Sequence, residues 1–363
     1  MKLIKQYFSN SSFLSIALIS LISIVTITID SLKKQGSLTL ILFTAIIICS
    51  ISTSLGIKKL KQLKLNQVIR AEGPKKHRAK SGTPTMGGII IVPIGIIIGN
   101  LFTFNGTFHH QVLGISTLTL AYMFIGIIDD WRSYSLNTNS GLKPKGKVIL
   151  QAGAGILFLL WANSQGLIHS NISILKNHSI YFGELIWVIA LFLLIAESNA
   201  TNLTDGLDGL ASGCGAIVFT GLAIELILQD DINSYKLASF CIAMAGSWLG
   251  FLVKNKHPAQ IFMGDTGSLS MGAALIGVAL ISNTLWSLCI MGIIFLIESV
   301  SVIMQVGIFK ITKQLNGQGH RILLMAPLHH HFELNGVKEV EIVRNFWFIN
   351  IIFVILSFLL RST

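Results

Sequence analysis

Residues 111–130 read QVLGISTLTLAYMFIGIIDD: an uncharged run that ends in the pair Asp129-Asp130. At about 1.5 Å per helical residue the uncharged part is about 27 Å long. The hydrocarbon core of a bilayer is roughly 30 Å thick. The run does not alternate polar and apolar residues, as a membrane strand would. It reads as a helix that crosses a bilayer and delivers two carboxylates to one face.

Similar runs lie on both sides of it. The full set is 11–29, 38–56, 86–104, 111–128, 148–165, 184–200, 209–228, 235–253, 267–284, 286–309 and 345–361. Of the 363 residues, 52% are hydrophobic and 12% charged. Soluble domains carry about 25% charged residues, so this chain has too little polar surface to cover a globule. Within lipid a helix satisfies its own backbone hydrogen bonds. The fold class is therefore all-α, a polytopic transmembrane bundle. Run 11–29 follows Lys2 and Lys5 like a signal peptide, but Asp30-Ser31-Leu32-Lys33-Lys34 replaces a small-residue cleavage site, so it reads as an uncleaved helix. Cys49, Cys214, Cys241 and Cys289 stand singly in apolar runs, without disulfide or metal spacing.

Charge orients the bundle. Segment 57–85 holds nine basic residues, 129–147 four, 254–266 two and 310–344 five, twenty of the 27 in the chain. The intervening connections hold only Lys176. Positive loops face the cytoplasm, so the net charge of +11 suits anionic headgroups and an anionic substrate. It is no mark of a nucleic-acid binder.

The unusual polar residues fall on the same face, where charge at a helix end is costly unless hydrated, paired or functional. Asp129 and Asp130 point about 100° apart on a helix, at a C-terminus, where negative charge is disfavoured. Asn202, Asp205 and Asp208 recur every three residues in Asn-Leu-Thr-Asp-Gly-Leu-Asp-Gly. On a helix they would form one stripe for a hard cation or a sugar; off it they could cap the next helix. In Phe262-Met-Gly-Asp265-Thr-Gly-Ser268, Asp265 opens an apolar run. It is a cap or a carboxylate for metal-bound phosphate. His329, His330 and His331 stand in one loop before Phe332-Glu333 and suit phosphate oxygens better than one zinc ion. Gly-Thr-Pro-Thr-Met-Gly-Gly at 82–88 follows a basic stretch containing Lys80, a loop fit to hold phosphate on backbone N–H groups. Lys145, in Lys143-Pro-Lys145-Gly-Lys147, could meet another phosphate. Acids for Mg²⁺ with cations for phosphate oxygens make the mixture that phosphoryl transfer needs.

These motifs, in this order from about residue 38 to the end, resemble the phospho-N-acetylmuramoyl-pentapeptide-transferases. That branch belongs to the polyprenyl-phosphate N-acetylhexosamine-1-phosphate transferases. The paired Asp and the Asn-Leu-Thr-Asp-Gly-Leu-Asp segment resemble the wider superfamily. Pro-Thr-Met-Gly-Gly and the histidine run point to the branch. The resemblance implies ten core helices in a transferase domain at 38–363, with 1–37 an extra hydrophobic segment. It implies transfer from UDP-N-acetylmuramoyl-pentapeptide to undecaprenyl phosphate, with Mg²⁺ as cofactor, at the cytoplasmic face of the bacterial plasma membrane. Membrane lipids would surround the chain, and a homodimer is plausible by analogy. Asp265, with Asp205, would hold the metal, and Asp129, Asp130 and Asp265 would be catalytic. Lys80, Thr85, Asn202, Asp205, Asp208, Asn255, Phe262 and Gln305 would line the nucleoside and diphosphate pocket. His329–His331 would touch the diphosphate or the muramoyl part. The rival readings are a sister enzyme using UDP-N-acetylglucosamine and, from another class, a cation or nucleotide-sugar transporter.

Overall fold

The computed structural model describes residues 10–33, 37–63, 82–136, 141–175 and 178–362. Among these are thirteen helices and one small hairpin. The helices are α1 (Ser11–Lys33), α2 (Leu38–Gln62), α3 (Gly88–Thr103), α4 (His110–Ser135), α5 (Pro144–Ser164), α6 (Leu185–Thr204), α7 (Leu210–Ile227), α8 (Ile232–Asn255), α9 (Gly264–Ile281), α10 (Leu285–Met291), α11 (Ile293–Asn316), α12 (Leu328–Leu334) and α13 (Glu339–Ser362). Ten of them are long and apolar enough to cross a membrane. The protein is a multi-pass membrane helical bundle.

Apolar residues surround α7, α8 and α9 on every side, and these three helices are buried almost throughout. Helices of this kind belong at the centre of a bundle. Their small residues let neighbours approach closely. A Cβ added at Gly213 would lie 2.1 Å from the Trp347 ring of α13, and one at Gly126 of α4 would lie 2.4 Å from the carbonyl oxygen of Asp265. The outer helices α1, α2, α5, α6, α11 and α13 expose apolar side chains such as Ile24, Ile47, Leu157, Phe192, Ile303 and Phe348, as a lipid-facing surface does.

Three departures from the apolar runs have local causes. The run 286–309 divides at Gly292 into α10 and α11. The run 86–104 shortens to the 16 residues of α3, because Met86 takes a left-handed φ of 67° and its loop bonds elsewhere. Residues 171–181 form an antiparallel hairpin, β1 (Asn171–Leu175) with β2 (His178–Tyr181), pairing Ile172 with Ile180.

Segment α1 runs the full depth of the bundle. The Ser11 hydroxyl donates to the His257 carbonyl at one end. Lys33 meets Asp230 at 2.6 Å at the other. Asp30 then accepts the N–H groups of Leu38 and Thr39, which opens α2. At that second end Arg361 of α13 pairs with Glu225 at 2.6 Å. Helix α1 thus begins at the end that holds residues 257–265, and α13 finishes at the opposite end.

Candidate active site

Two distant motifs are hydrogen-bonded together at the start of α9. The N–H of Gly87 donates to the Phe262 carbonyl at 2.8 Å, Gly88 N–H to Met263 at 2.9 Å, and Phe262 N–H to Pro84 at 2.9 Å. The Thr-Pro-Thr-Met-Gly-Gly loop is therefore a brace along Phe-Met-Gly-Asp, and it shapes the approach to Asp265. Thr85 and Phe262 are partly exposed there. Gly264 has a φ of 69°, and a Cβ on it would meet Asp130 Oδ2 at 2.4 Å and Thr85 Oγ1 at 3.0 Å. Only glycine accepts both the dihedral and the crowding.

The acid pair of α4 divides its work. Asp130 caps α9 from a neighbouring helix: its Oδ1 accepts the Asp265 N–H at 3.1 Å, and its Oδ2 accepts the Thr266 N–H at 3.0 Å and the Thr266 hydroxyl at 2.6 Å. These are the second and third N–H groups of α9, which a helix start leaves without partners. With the capping done by Asp130, the side chain of Asp265 is free to face elsewhere. Its Oδ2 contacts the Lys147 ammonium, and its Oδ1 accepts Asn202 Nδ2 at 2.7 Å. Asn202 also donates to Ser268 at 2.9 Å. Asp129 lies 3.8 Å from the same ammonium through Oδ1, which accepts the Leu142 N–H at 3.1 Å. Asp129, Lys147, Asp265 and Asn202 meet at one point.

Lys147 is held from below. One helical turn along α5, buried Gln151 takes the Tyr122 hydroxyl of α4 on its carbonyl at 3.0 Å, donates to Ser198 at 3.2 Å and accepts Asn199 Nδ2 at 3.0 Å. This polar network fastens α5 to α4 and α6. Lys145 is exposed; the lysine that reaches the carboxylates is Lys147. Sequence reading passed over it because it adjoins the apolar run, and two residues round a helix is about 200°.

The remaining expected contacts fall into place differently. Helix α6 ends at Thr204, so Asn202, Asp205 and Asp208 are not one helical stripe. Asp205 is the C-cap of α6. Asp208 turns inward: its Oδ2 meets His257 Nδ1 at 2.9 Å and the Ala259 N–H at 3.0 Å. Asn255 is buried and clamps backbone, accepting from Gly209 N–H and the Ser212 hydroxyl and donating to the Ile261 carbonyl. Gln305 likewise grips the backbone of Ile322 and Leu323. Lys80 lies outside the described residues.

The three histidines have separate partners. His329 is fully buried, with Nδ1 3.1 Å from Glu298 Oε2. A Cβ on Gly206 would lie 2.1 Å from its Nε2, so the glycine makes room for the ring. His330 bonds Glu333 at 2.9 Å. His331 accepts the Leu324 N–H at 3.2 Å and contacts Asn335. Sequence reasoning missed Lys147, Thr266, His257 and Glu339. Among the described residues, one set of three acid and histidine ligand atoms lies within 4.8 Å: Asp208, His257 and Glu339. It could hold a cation. His257 Nδ1 lies 2.9 Å from one carboxylate of the set and 3.3 Å from the other.

Two carboxylates gathered on an ammonium, beside a glycine loop and a capped helix start, make a charged candidate active site at one end of a membrane helical bundle. Comparisons supply the family. The Glycosyl transferase family 4 profile matches residues 112–283, and the phospho-N-acetylmuramoyl-pentapeptide-transferase signature 1 matches 80–92. A phospho-N-acetylmuramoyl-pentapeptide-transferase of Prochlorococcus marinus is 60% identical over 96% of this chain and 94% of its own length. One of Synechococcus sp. (strain WH7803) is 56% identical over 88% of each. One of Gloeothece citriformis is 46% identical over 83% of this chain and 81% of its own. The chain belongs to the phospho-N-acetylmuramoyl-pentapeptide-transferase family, and is a glycosyl-phosphate transferase.

Proposed function

We propose that the chain moves phospho-N-acetylmuramoyl-pentapeptide from UDP-N-acetylmuramoyl-pentapeptide onto undecaprenyl phosphate, releasing UMP and forming the first lipid-linked peptidoglycan precursor. The observation that carries this is the meeting of Asp129, Lys147, Asp265 and Asn202 in a chain 60% identical to a transferase of that name. That identity favours it over a transporter and over a UDP-N-acetylglucosamine enzyme.

Mg²⁺ is the expected cofactor. A hard cation takes oxygen ligands, and Asp129 and Asp265 converge on a positive charge, Lys147, that stands where a cation is wanted. Asp265 and Asp129 would hold the ion, with Asn202 orienting Asp265; Asp205, one turn beyond Asn202, is the further candidate. Bound there, Mg²⁺ supplies neutralisation of the diphosphate and of the departing UMP. Lys147 adds a second positive charge for phosphate oxygens. The lipid phosphate oxygen attacks the β-phosphorus, forming the new P–O bond as the bond to the UMP oxygen breaks. Asp129 orients the acceptor or takes its proton. Both oxygens of Asp130 are spent on α9, so Asp130 positions Asp265 and is no nucleophile.

Thr85 and Phe262 flank the approach and suit the diphosphate and the uracil face. An apolar cavity of about 420 Å³, lined by Leu296, Val300, Met304, Ile322 and Leu328, opens behind α12 and suits a polyprenyl chain. Twenty of the 27 basic residues fall in the sequence segments 57–85, 129–147, 254–266 and 310–344, which supports a cytoplasmic active site in the plasma membrane. The test is UMP release in detergent with Mg²⁺ and each UDP-sugar. Release with the muramoyl-pentapeptide donor, lost in Asp265→Ala, is the expected result. Equal release with UDP-N-acetylglucosamine, or an active Asp265→Ala, would refute it.

A further inference from the structure

We propose that His257 is a positioning residue for the donor nucleotide, a positively charged bridge that locks three loops of the site into one seat. The inference rests on the transfer reaction proposed above.

The bridge is a closed ring of contacts. His257 Nδ1 lies 2.9 Å from Asp208 Oδ2 and 3.3 Å from Glu339 Oε2. The other oxygen of Glu339 accepts the Asp208 N–H at 2.7 Å. The Asp208 side chain is only 1% exposed and that of Glu339 12%. Two carboxylates held this close in a poorly hydrated place repel each other and lose hydration. A charged ring between them offsets part of both costs. Among the described residues Asp208 and Glu339 are the charged groups that face the ring, and the Ser11 hydroxyl of α1 holds its backbone carbonyl.

Each strand of the bridge leads to a different part of the site. Asp208 lies in the turn that follows α6, the helix whose last residues include Asn202, the partner of Asp265. His257 opens the loop that carries Phe262 and then Asp265. Glu339 starts α13, directly after the histidine helix α12. The bridge shapes the seat without joining the chemistry.

The two acids push the pKa of His257 up to about 9, through the hydrogen bond to Asp208 first and that to Glu339 second. The ring is therefore charged at neutral pH. Because the shift is upward, the bridge is whole at neutral pH and is lost as pH rises through about 9.

The experiment uses the full chain in detergent and reads kcat and donor KM from UMP release. For His257→Gln we expect donor KM about tenfold higher at neutral pH, with kcat within about threefold. Wild-type KM should climb above about pH 9, while the variant's KM stays flat there. Glu339→Gln removes one of the two acids, so its KM should begin to climb at a lower pH than in wild type. It serves as the second variant if His257→Gln does not fold. A His257→Gln enzyme with wild-type KM and the wild-type pH limb overturns the bridge, as does a limb that Glu339→Gln leaves in place. A loss confined to kcat also overturns it. A wild type that releases no UMP overturns the reaction itself, and the bridge with it.

Discussion

Gly126→Ala tests how the site is built. Helices α4 and α9 touch backbone to backbone at this position. An added Cβ would lie 2.4 Å from the Asp265 carbonyl oxygen and 2.5 Å from Thr266 Cα. Ordinary contact begins at 3.4 Å, so the helices must part by about 1 Å. Asp130 stands one turn further along α4 and reaches Asp265 N–H at 3.1 Å and Thr266 N–H at 3.0 Å. A further 1 Å takes both beyond hydrogen-bonding range. Two buried N–H groups and a hydroxyl then lose their partner, at about 1 kcal/mol or more each. Asp129 retreats from Asp265 in the same movement. A displacement of about 1 Å at a reacting centre is worth roughly 10²-fold in rate.

The expected result is therefore a kcat/KM for UMP release about 10²-fold down, together with a lower unfolding temperature in detergent. Gly153→Ala is the control. That glycine is also in a helix, and nothing lies within 4 Å of its added Cβ; alanine there should leave activity unchanged and stability equal or slightly higher. Should Gly126→Ala retain wild-type kcat/KM and unfolding temperature, the close contact would not be what seats Asp265, and the division of labour between Asp129 and Asp130 would fall with it.

Lys147→Gln should lower turnover by about 10²-fold or more, since it removes a charge from the reacting centre, whereas Lys145→Gln should stay within about threefold; equal losses would show that the wrong lysine has been chosen. Asp129→Ala should abolish UMP release with little change in unfolding temperature. Asp130→Ala should lower both, by about 1–3 kcal/mol in stability, and a stable Asp130→Ala protein would remove the capping role. Chelation of divalent ions should stop UMP release and Mg²⁺ should restore it; release that continues in the chelator would contradict the cofactor reading.

Much of the bundle could be read from composition, because lipid demands about twenty apolar residues per crossing and each run announces itself. Where the reading slipped, tertiary contacts had overruled the local pattern. The start of α3 is set by bonds from Gly87 and Gly88 to Phe262 and Met263, and no periodicity within 86–104 could reveal them. The site was legible as a set of motifs and not as a set of roles. Asn255 and Gln305 carry amides that bind something, but their partners are backbone groups of this chain. His329 reads in sequence as a contact for the diphosphate or the muramoyl part, and its burial against Gly206 and Glu298 could not be foreseen there. Asp129 and Asp130 are adjacent and chemically identical; their difference arises only from where α9 begins.

The charge at the reaction point explains why these groups sit together at all. Asp129, Asp130 and Asp265 bring three potential negative charges to a half-buried place, against one ammonium from Lys147. Asp130 is compensated by the N–H groups and helix start of α9, which carry partial positive charge. That leaves Asp129 and Asp265 facing one lysine, a deficit of one positive charge in a place where water screens poorly. A divalent cation more than cancels the deficit, and the surplus is what an incoming diphosphate would meet. In a bundle whose apolar walls offer no counter-charge, the same deficit would expel the substrate if the cation were withheld. Substrate binding, and not turnover alone, should therefore weaken on chelation. A donor affinity that is unchanged without Mg²⁺ would show that Lys147 and the basic loops suffice to hold the phosphates, and that the acids serve the acceptor lipid instead.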